Sequence, residues 1–397
     1  MHKLKISWSE YDRRIKKLRE HMKSNGFDAY LITNGVSIFY FSNFYHIVTE
    51  RPAALLVEPD GKPVFLGPLL EADHLRLQTS LIGECYTYLD YPGEKHPMER
   101  FAGWIKELGY GKAKIGTDNP VGASGTMGYV GPKLNELLKD AELIQDGQYL
   151  WDIKLIKSKE EIDLIKESAK WGNLAHTYLQ DYTRPGLYDM EIKYMATLEA
   201  TVAMKKTLGK EYESVKGTAV YAGFRGQVGW KSAMPHSIDL NRPIKDGDVL
   251  VTGALADVGG YGSELERTMI VGKPTVKMQK MFKVMCKAQE AAVDALRPGN
   301  TCADVDKAAN KVFMDAGYWS LVRHHSGHGL GLLGHEPPYL DQGNPQLLEP
   351  GMVVSIEPGI YELEYAGFRH SDTLVVTEDG CEWITYYPRD IESLTIL

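Results

Sequence analysis

The sequence predicts an α/β protein made of two successive parts, and three observations carry that prediction. A chain of 397 residues is longer than one hydrophobic core ordinarily serves, so two domains are expected. In the first part short apolar runs alternate with helical patterns, the signature of helices laid on a sheet. In the second part a helix, an Arg-Pro-Gly turn and another helix occur twice, each time ahead of strand-rich sequence.

Composition narrows the functional classes. With 43% hydrophobic and 25% charged residues the chain has the make-up of a globular domain, which sets disorder and fibrous structure aside. A net charge of -8 offers no lysine and arginine surplus for phosphate, so nucleic acid is not an expected partner. The start, Met1-His-Lys-Leu-Lys-Ile, lacks the apolar core of a signal peptide, and no apolar run is long enough to span a bilayer. A cytoplasmic protein without membrane contact is therefore expected. Cys85, Cys286, Cys302 and Cys381 are scattered with no Cys-x-x-Cys, which indicates neither a disulfide framework nor a zinc knuckle.

In chain order, the run from Ser9 has apolar residues at helical spacing and Gly26 as its stop signal. Asp28 to Thr33 reads as a buried strand, followed by strands at Ala53 to Val57, Pro63 to Leu66 and Lys114 to Thr117 and a helix over Glu99 to Leu108. A boundary falls near Asp152, because Ser158-Lys-Glu-Glu161 is a capping box that opens a helix through Tyr178. That helix ends in Thr183-Arg-Pro-Gly186 and another starts at Tyr188. Later a helix from about Val276 ends in Leu296-Arg-Pro-Gly299, with its successor from Ala303. The repetition implies two half-domains whose helices pack on a shared sheet.

The chemistry concentrates in His324 to Pro338, which holds four of the 12 histidines interleaved with four glycines. Imidazole moves protons near neutral pH and binds transition metals, and glycine lets backbone approach a ligand closely. His324 and His325 read as exposed turn residues. His328 and His335 sit beside glycines and the apolar Leu330, Leu332 and Leu333, which points to burial and to a partner for each ring. Upstream, Glu264 and Glu266 lie two apart in a strand-like segment and so face the same side; they either meet a cation or proton there, or Glu266 simply pairs with an arginine. Glu357 ends the apolar run Met352-Val-Val354-Ser-Ile, where an unpaired carboxylate is costly. His236 follows Pro235 and is either a loop histidine or an acid/base.

Together these residues resemble the pita-bread family of methionine aminopeptidases, Xaa-Pro aminopeptidases, prolidases and creatinase. Gly-His328-Gly-Leu-Gly, His335-Glu-Pro, Gly-Met-Val-Val-Ser-Ile-Glu357-Pro-Gly and Thr-Glu-Asp-Gly380 match its signatures in order and spacing. The resemblance covers the chain and implies a creatinase/prolidase N-terminal domain over residues 1–152 and a pita-bread catalytic domain over 153–397. The family's metallopeptidases hold paired ions with two aspartates, a histidine and two glutamates. Here those positions carry Gly253, Glu264, His328, Glu357 and Ser371, so two of the five ligands are gone. Creatinase, which hydrolyses without metal, offers closer matches. Its proton-shuttling histidine resembles His236, its substrate-binding glutamate Glu266, the glutamate of its Ser-Met-Glu-Pro motif Glu357, and its cross-subunit arginine Arg51. Its last histidine is replaced by Ser371, with His370 adjacent.

The resemblance thus implies a metal-independent C–N hydrolase acting on a small charged nitrogen compound, as creatinase and ectoine hydrolases do. In that reading His236, His328, His335, Glu357 and Glu266 are catalytic. Arg51 of a homodimer partner, Glu264 and His370 bind substrate, and no cofactor is needed. The alternative is an Xaa-Pro dipeptidase or aminopeptidase with one manganese, iron or zinc ion on Glu264, His328 and Glu357. A further alternative is a binding protein that kept the fold and lost the chemistry.

Overall fold

The computed structural model of the chain describes residues 4–91, 93–122, 128, 130–209, 212, 214–217 and 219–397. These fall into two compact units, one from Ile6 to Lys154 and one from Leu155 to Leu397 that also takes in Leu4 and Lys5. The division lies two residues beyond the expected boundary because a helix, Gly147–Leu155, runs through Asp152.

The first unit is a mixed six-stranded sheet under helices. Its strands are β1 (Ala29–Ile32), β2 (Ala54–Val57), β3 (Val64–Pro68), β4 (Cys85–Tyr88), β5 (Lys114–Thr117) and β6 (Glu142–Gln145), in the order β4-β3-β2-β1-β5-β6. Both central strands are buried along their whole length, as expected for runs that read as continuously apolar. One face packs Leu31, Leu56, Leu66 and Ile115 against Phe101 and Ile105 of the Pro97–Glu107 helix. The opening helix, Trp8–Asn25, is capped by Ser7 and stopped by Gly26 in the left-handed region (φ 65°).

The second unit carries the duplication. Helices Lys159–Tyr182 and Asp189–Leu208 pack as one pair, Val276–Ala295 and Cys302–Asp315 as another. Gly186 and Gly299, the last residues of the two Arg-Pro-Gly turns, share the same φ of 92°. Such a backbone is open to glycine and resisted by other residues, so the repeated tripeptide is a structural requirement in both halves. The first pair precedes the antiparallel strands Val220–Gly223 and Gly253–Ala256. The second precedes a five-stranded sheet containing His328–Gly329, Val353–Ile356 and Asp372–Val376.

Between the halves, Glu266 pairs with Ser371 in an antiparallel bridge, with N–H···O distances of 2.9 and 3.0 Å. The next residue on each side forms an ion pair, Arg267 with Asp372, and both are fully buried. Arg267 donates to both Asp372 oxygens (2.8 and 3.1 Å) and to the carbonyls of Pro388, Tyr387, Glu266 and Ser371. Asp372 also accepts from Gln289 and Thr385. A buried pair survives when every donor and lone pair is satisfied in this way, and deleting one partner strands the other. Asp372→Asn is therefore expected to destabilise the protein by about 3–5 kcal/mol, read as a lowered urea midpoint. A loss below about 1 kcal/mol would show that the pair does not hold the halves together.

Candidate active site

A cavity of about 420 Å³ opens in the second unit, lined by Arg225, Pro235, His236, Glu264, Glu266, Arg323, His324, His325, His335, Glu357 and Arg369. Its chemistry follows from strand alternation. The Glu266–Ser371 bridge turns Glu264 and Glu266 toward the cavity from one strand, and Arg369 and Ser371 from the other, while Arg267 and Asp372 point away. Glu357 comes last, just past the end of the Val353–Ile356 strand.

His328 is fully buried behind the lining residues Glu264 and Glu357. Its Nδ1–H donates to the Gly329 carbonyl at 3.0 Å, which fixes the tautomer and leaves Nε2 as a lone pair in the neutral ring. Nε2 lies 3.0 Å from Glu357 Oε1 and 3.9 Å from Glu264 Oε2. The ring of His335 stacks on that of His328 at a centroid distance of 3.7 Å. Burial works against charging His328, but the contact with Glu357 and the charge of Glu264 outweigh it and raise its pKa to about 9. Glu357 goes the other way: burial alone would raise it, and His328 with Arg369 hold it well below the usual carboxylate range. Glu264 is pushed up to about 7 by burial and by the charges of Glu357 and Glu266. Oxygens of Glu264, Glu266 and Glu357 lie within 4.8 Å of one another, so the third carboxylate lacks a counter-charge.

Glu266 is clasped by arginine. Arg369 donates to both its oxygens, the Nη2–Oε1 bond being 2.9 Å, and Arg225 donates to Oε1 as well. Arg369 also donates to the Tyr361 hydroxyl at 3.1 Å and stands 3.8 Å from Glu357. Tyr361 in turn bonds His324 Nε2 at 2.7 Å, while His324 Nδ1 donates to the His325 carbonyl.

The family model "Metallopeptidase family M24" matches residues 163–378, and "Creatinase/Prolidase N-terminal domain" matches residues 14–150. The chain belongs to metallopeptidase family M24. It has the family's pita-bread fold with a creatinase-type N-terminal domain, as the sequence motifs implied. It is 27% identical over 388 residues to an Xaa-Pro dipeptidase of Lactobacillus delbrueckii subsp. lactis, covering 96% of this chain and 99% of that protein. It is similar to the crystal structure of dipeptidase PepE from Mycobacterium ulcerans (TM-score 0.82, 26% identity, 99% of both chains). The Xaa-Pro dipeptidase from Bacillus anthracis superposes with a TM-score of 0.79 at 26% identity, over 98% of this chain and all of that one.

The M24 chemistry raises the question of which ions this donor set fits. A Cβ on Gly253 would meet only the Glu266 side chain, at 3.8 Å, and Ser371 spends its hydroxyl on Glu264 at 2.7 Å. Glu266 is committed to two guanidinium groups. A paired-ion centre therefore does not fit, for want of bridging carboxylates. A single cation does fit: Glu264, His328 and His335 each place a ligand atom within 4.8 Å of the others, Glu357 adjoins them, and His328 Nε2 faces that group and would give up its proton to a bound ion. Membership of a metallopeptidase family favours this alternative over the reading without a cofactor.

Of the residues singled out in the sequence, His236, Glu264, Glu266, Glu357, His328 and His335 converge here. Three expectations need correction. His335 is exposed, one face covered by His328 and the other open to the cavity. His370 is fully buried but stands on the opposite side of its strand from Arg369 and Ser371, with its ring edge-on to Phe282 at 5.1 Å, so it does not bind substrate in this cavity. His324, read as an exposed turn residue, is half-buried and tied to Tyr361. Arg51 lies in the first unit, where its guanidinium pairs with Glu50 (2.6 Å) and Asp90 (2.8 Å). Arg225, Arg369 and Tyr361 were missed, since nothing in Gly-Phe-Arg-Gly or Gly-Phe-Arg-His marks an arginine that will neutralise a distant glutamate.

His370→Asn is expected to leave kcat and KM at wild-type values once folding is verified by circular dichroism. A fall in kcat matching that of His328→Asn would return His370 to the site.

Proposed function

We propose that the protein hydrolyses the amide bond of small peptides, Xaa-Pro dipeptides being the first class to test, with one divalent cation held by Glu264, His328 and Glu357. The observation that carries this reading is the convergence of buried His328 Nε2, its ring set by the bond to Gly329, on the carboxylates of Glu264 and Glu357, where a bound cation would take the place of the proton on Nε2. Relatives named as Xaa-Pro dipeptidases, matched end to end, support a peptide substrate. Two carboxylates and an imidazole suit manganese, iron or zinc, and a cavity of about 420 Å³ suits a ligand of dipeptide size.

A cation bound there supplies Lewis acidity toward a carbonyl and acidifies a water molecule. The chain's own residues supply the rest. Arg369 fixes Glu266 through its bonds and, 3.8 Å away, helps keep Glu357 ionised. His236 stands exposed on the cavity wall, free to exchange protons with solvent, and is the group we assign to protonating the leaving nitrogen. His335 covers His328 and limits water access to it. A homodimer in which Arg51 serves a neighbour's cavity would first have to free that side chain from Asp90 and Glu50.

A second reading keeps the hydrolysis and dispenses with the ion. The short His328–Glu357 contact and the loss of carboxylates at Gly253 and Ser371 favour it. Glu266 and Glu357 would then hold the nitrogen end of a small charged substrate, with His236 again the acid/base.

Protein purified without chelator is expected to contain about one equivalent of manganese, iron or zinc by elemental analysis, and to lose dipeptidase activity on dialysis against chelator and regain it with the metal. Full activity in metal-free protein selects the second reading. His236→Ala is expected to lower kcat by ~10²-fold or more with cation content unchanged. A near-normal kcat removes His236 from the mechanism.

A further inference from the structure

We propose that Arg225 is the chain's own anchor for a substrate carboxylate. The inference rests on reading the cavity as a hydrolase site for small substrates, and it names the charge those substrates carry.

Three features of Arg225 lead there. Its backbone sits in the left-handed region (φ 49°), which a residue with a Cβ adopts only when its surroundings impose it. They do so here. Gly226 follows at φ 70°, with no room for a side chain, since a Cβ would lie 1.9 Å from the Ile238 carbonyl oxygen. Ser237 Oγ donates to the Gly226 carbonyl, and Gln227 N–H donates to that of Phe224. The loop is held against the 237–238 backbone in the one shape that turns Arg225 into the cavity.

The second feature is charge. Glu266 carries one negative charge and meets two guanidinium groups, Arg369 through both oxygens and Arg225 through one. Glu357, the next carboxylate, already faces His328 at 3.0 Å. At Glu266 two guanidinium groups therefore share one carboxylate, and the outer of the two is the one that a substrate can reach: Arg369 is 3% exposed and Arg225 is 41% exposed. The third feature is unused donors. Among the described residues, Arg225 bonds only through Nη2, to Glu266 and weakly to Gln227, so Nε and Nη1 are open to a planar anion. Arg323 also lines the cavity, with Nη1 donating to the carbonyls of Ser320 and Val322 but with no carboxylate partner among the described residues that sets its guanidinium beside the Glu266 cluster, and Arg51 is held by Asp90 and Glu50.

The test measures binding of L-proline, L-prolinamide and benzoate by titration calorimetry to the wild type, Arg225→Met and Arg323→Met, with thermal melting as the folding control. The wild type is expected to prefer proline to prolinamide by on the order of 10- to 100-fold, the span of a hydrogen-bonded charge. Arg225→Met should bind both as the wild type binds prolinamide, and Arg323→Met should keep the preference. If Arg225→Met does not fold, Arg225→Gln, which keeps the length and a donor but no charge, is expected to lose the preference as well. A preference retained without the Arg225 charge overturns the proposal, and so does a wild type that binds none of the three or binds proline and prolinamide equally well. Benzoate binding that depends on Arg225 while proline fails to bind sustains the anchor and removes the Xaa-Pro reading instead.

Discussion

The cavity depends on one buried pair. Arg267 and Asp372, wholly out of water, bind each other and the backbone around them, and so hold together two strands from the two halves of the unit. Because side chains alternate along a strand, locking 267 and 372 inward turns 264, 266, 369 and 371 to the other side. A slip of one residue would bury Glu266 and bring Arg267 into the cavity, inverting the charge of the site. The pair is thus less a source of net stability than a register pin, which is the role best attested for buried ions.

On the cavity side the same two strands set the charge. The usual M24 centre balances two cations against four carboxylates, and this chain retains carboxylates at only two of those positions, Glu264 and Glu357. A third, Glu266, stands against Gly253, where a side chain is missing, and meets Arg369. Ser371 occupies the other vacant position and donates to Glu264. The lost ligands are therefore replaced by a glutamate–arginine pair and by a hydroxyl, and Glu264 and Glu357 remain beside His328.

Much of this was legible in the sequence, and for identifiable reasons. The Arg-Pro-Gly turns announced the duplicated halves because a left-handed residue must follow each helix, and Gly186 and Gly299 are the residues that adopt it readily. Glu264 and Glu266 were readable as a same-face pair because strand periodicity is local. The glycines around His328 were legible in position and misread in purpose. A Cβ on Gly327 would lie 2.0 Å from the Ser355 carbonyl oxygen, and on Gly329 2.2 Å from that of Pro337, so backbone rather than a ligand claims the space. What could not be read was anything set by partners far along the chain. His370 looked equivalent to its neighbours until the bridge to Glu266 fixed which side of the strand it takes, and Arg225 and Arg369 meet Glu266 across 41 and 103 residues.

The pattern of satisfaction around the cavity separates a rebuilt site from a decayed one. A binder drifting away from catalysis would shed metal ligands and leave their former partners, Arg369 above all, buried and unpaired at a cost of several kcal/mol. Here Arg369 has Glu266, Ser371 has Glu264, and Tyr361 is bonded on both sides. Among the described residues of this region, the buried side-chain nitrogens without a hydrogen-bond partner are Gln227 Nε2, His328 Nε2 and the two ring nitrogens of His370, and of these His328 Nε2 is the one that faces carboxylates. A buried imidazole nitrogen set 3.0 Å from one carboxylate and 3.9 Å from another is placed to carry a proton or to ligate.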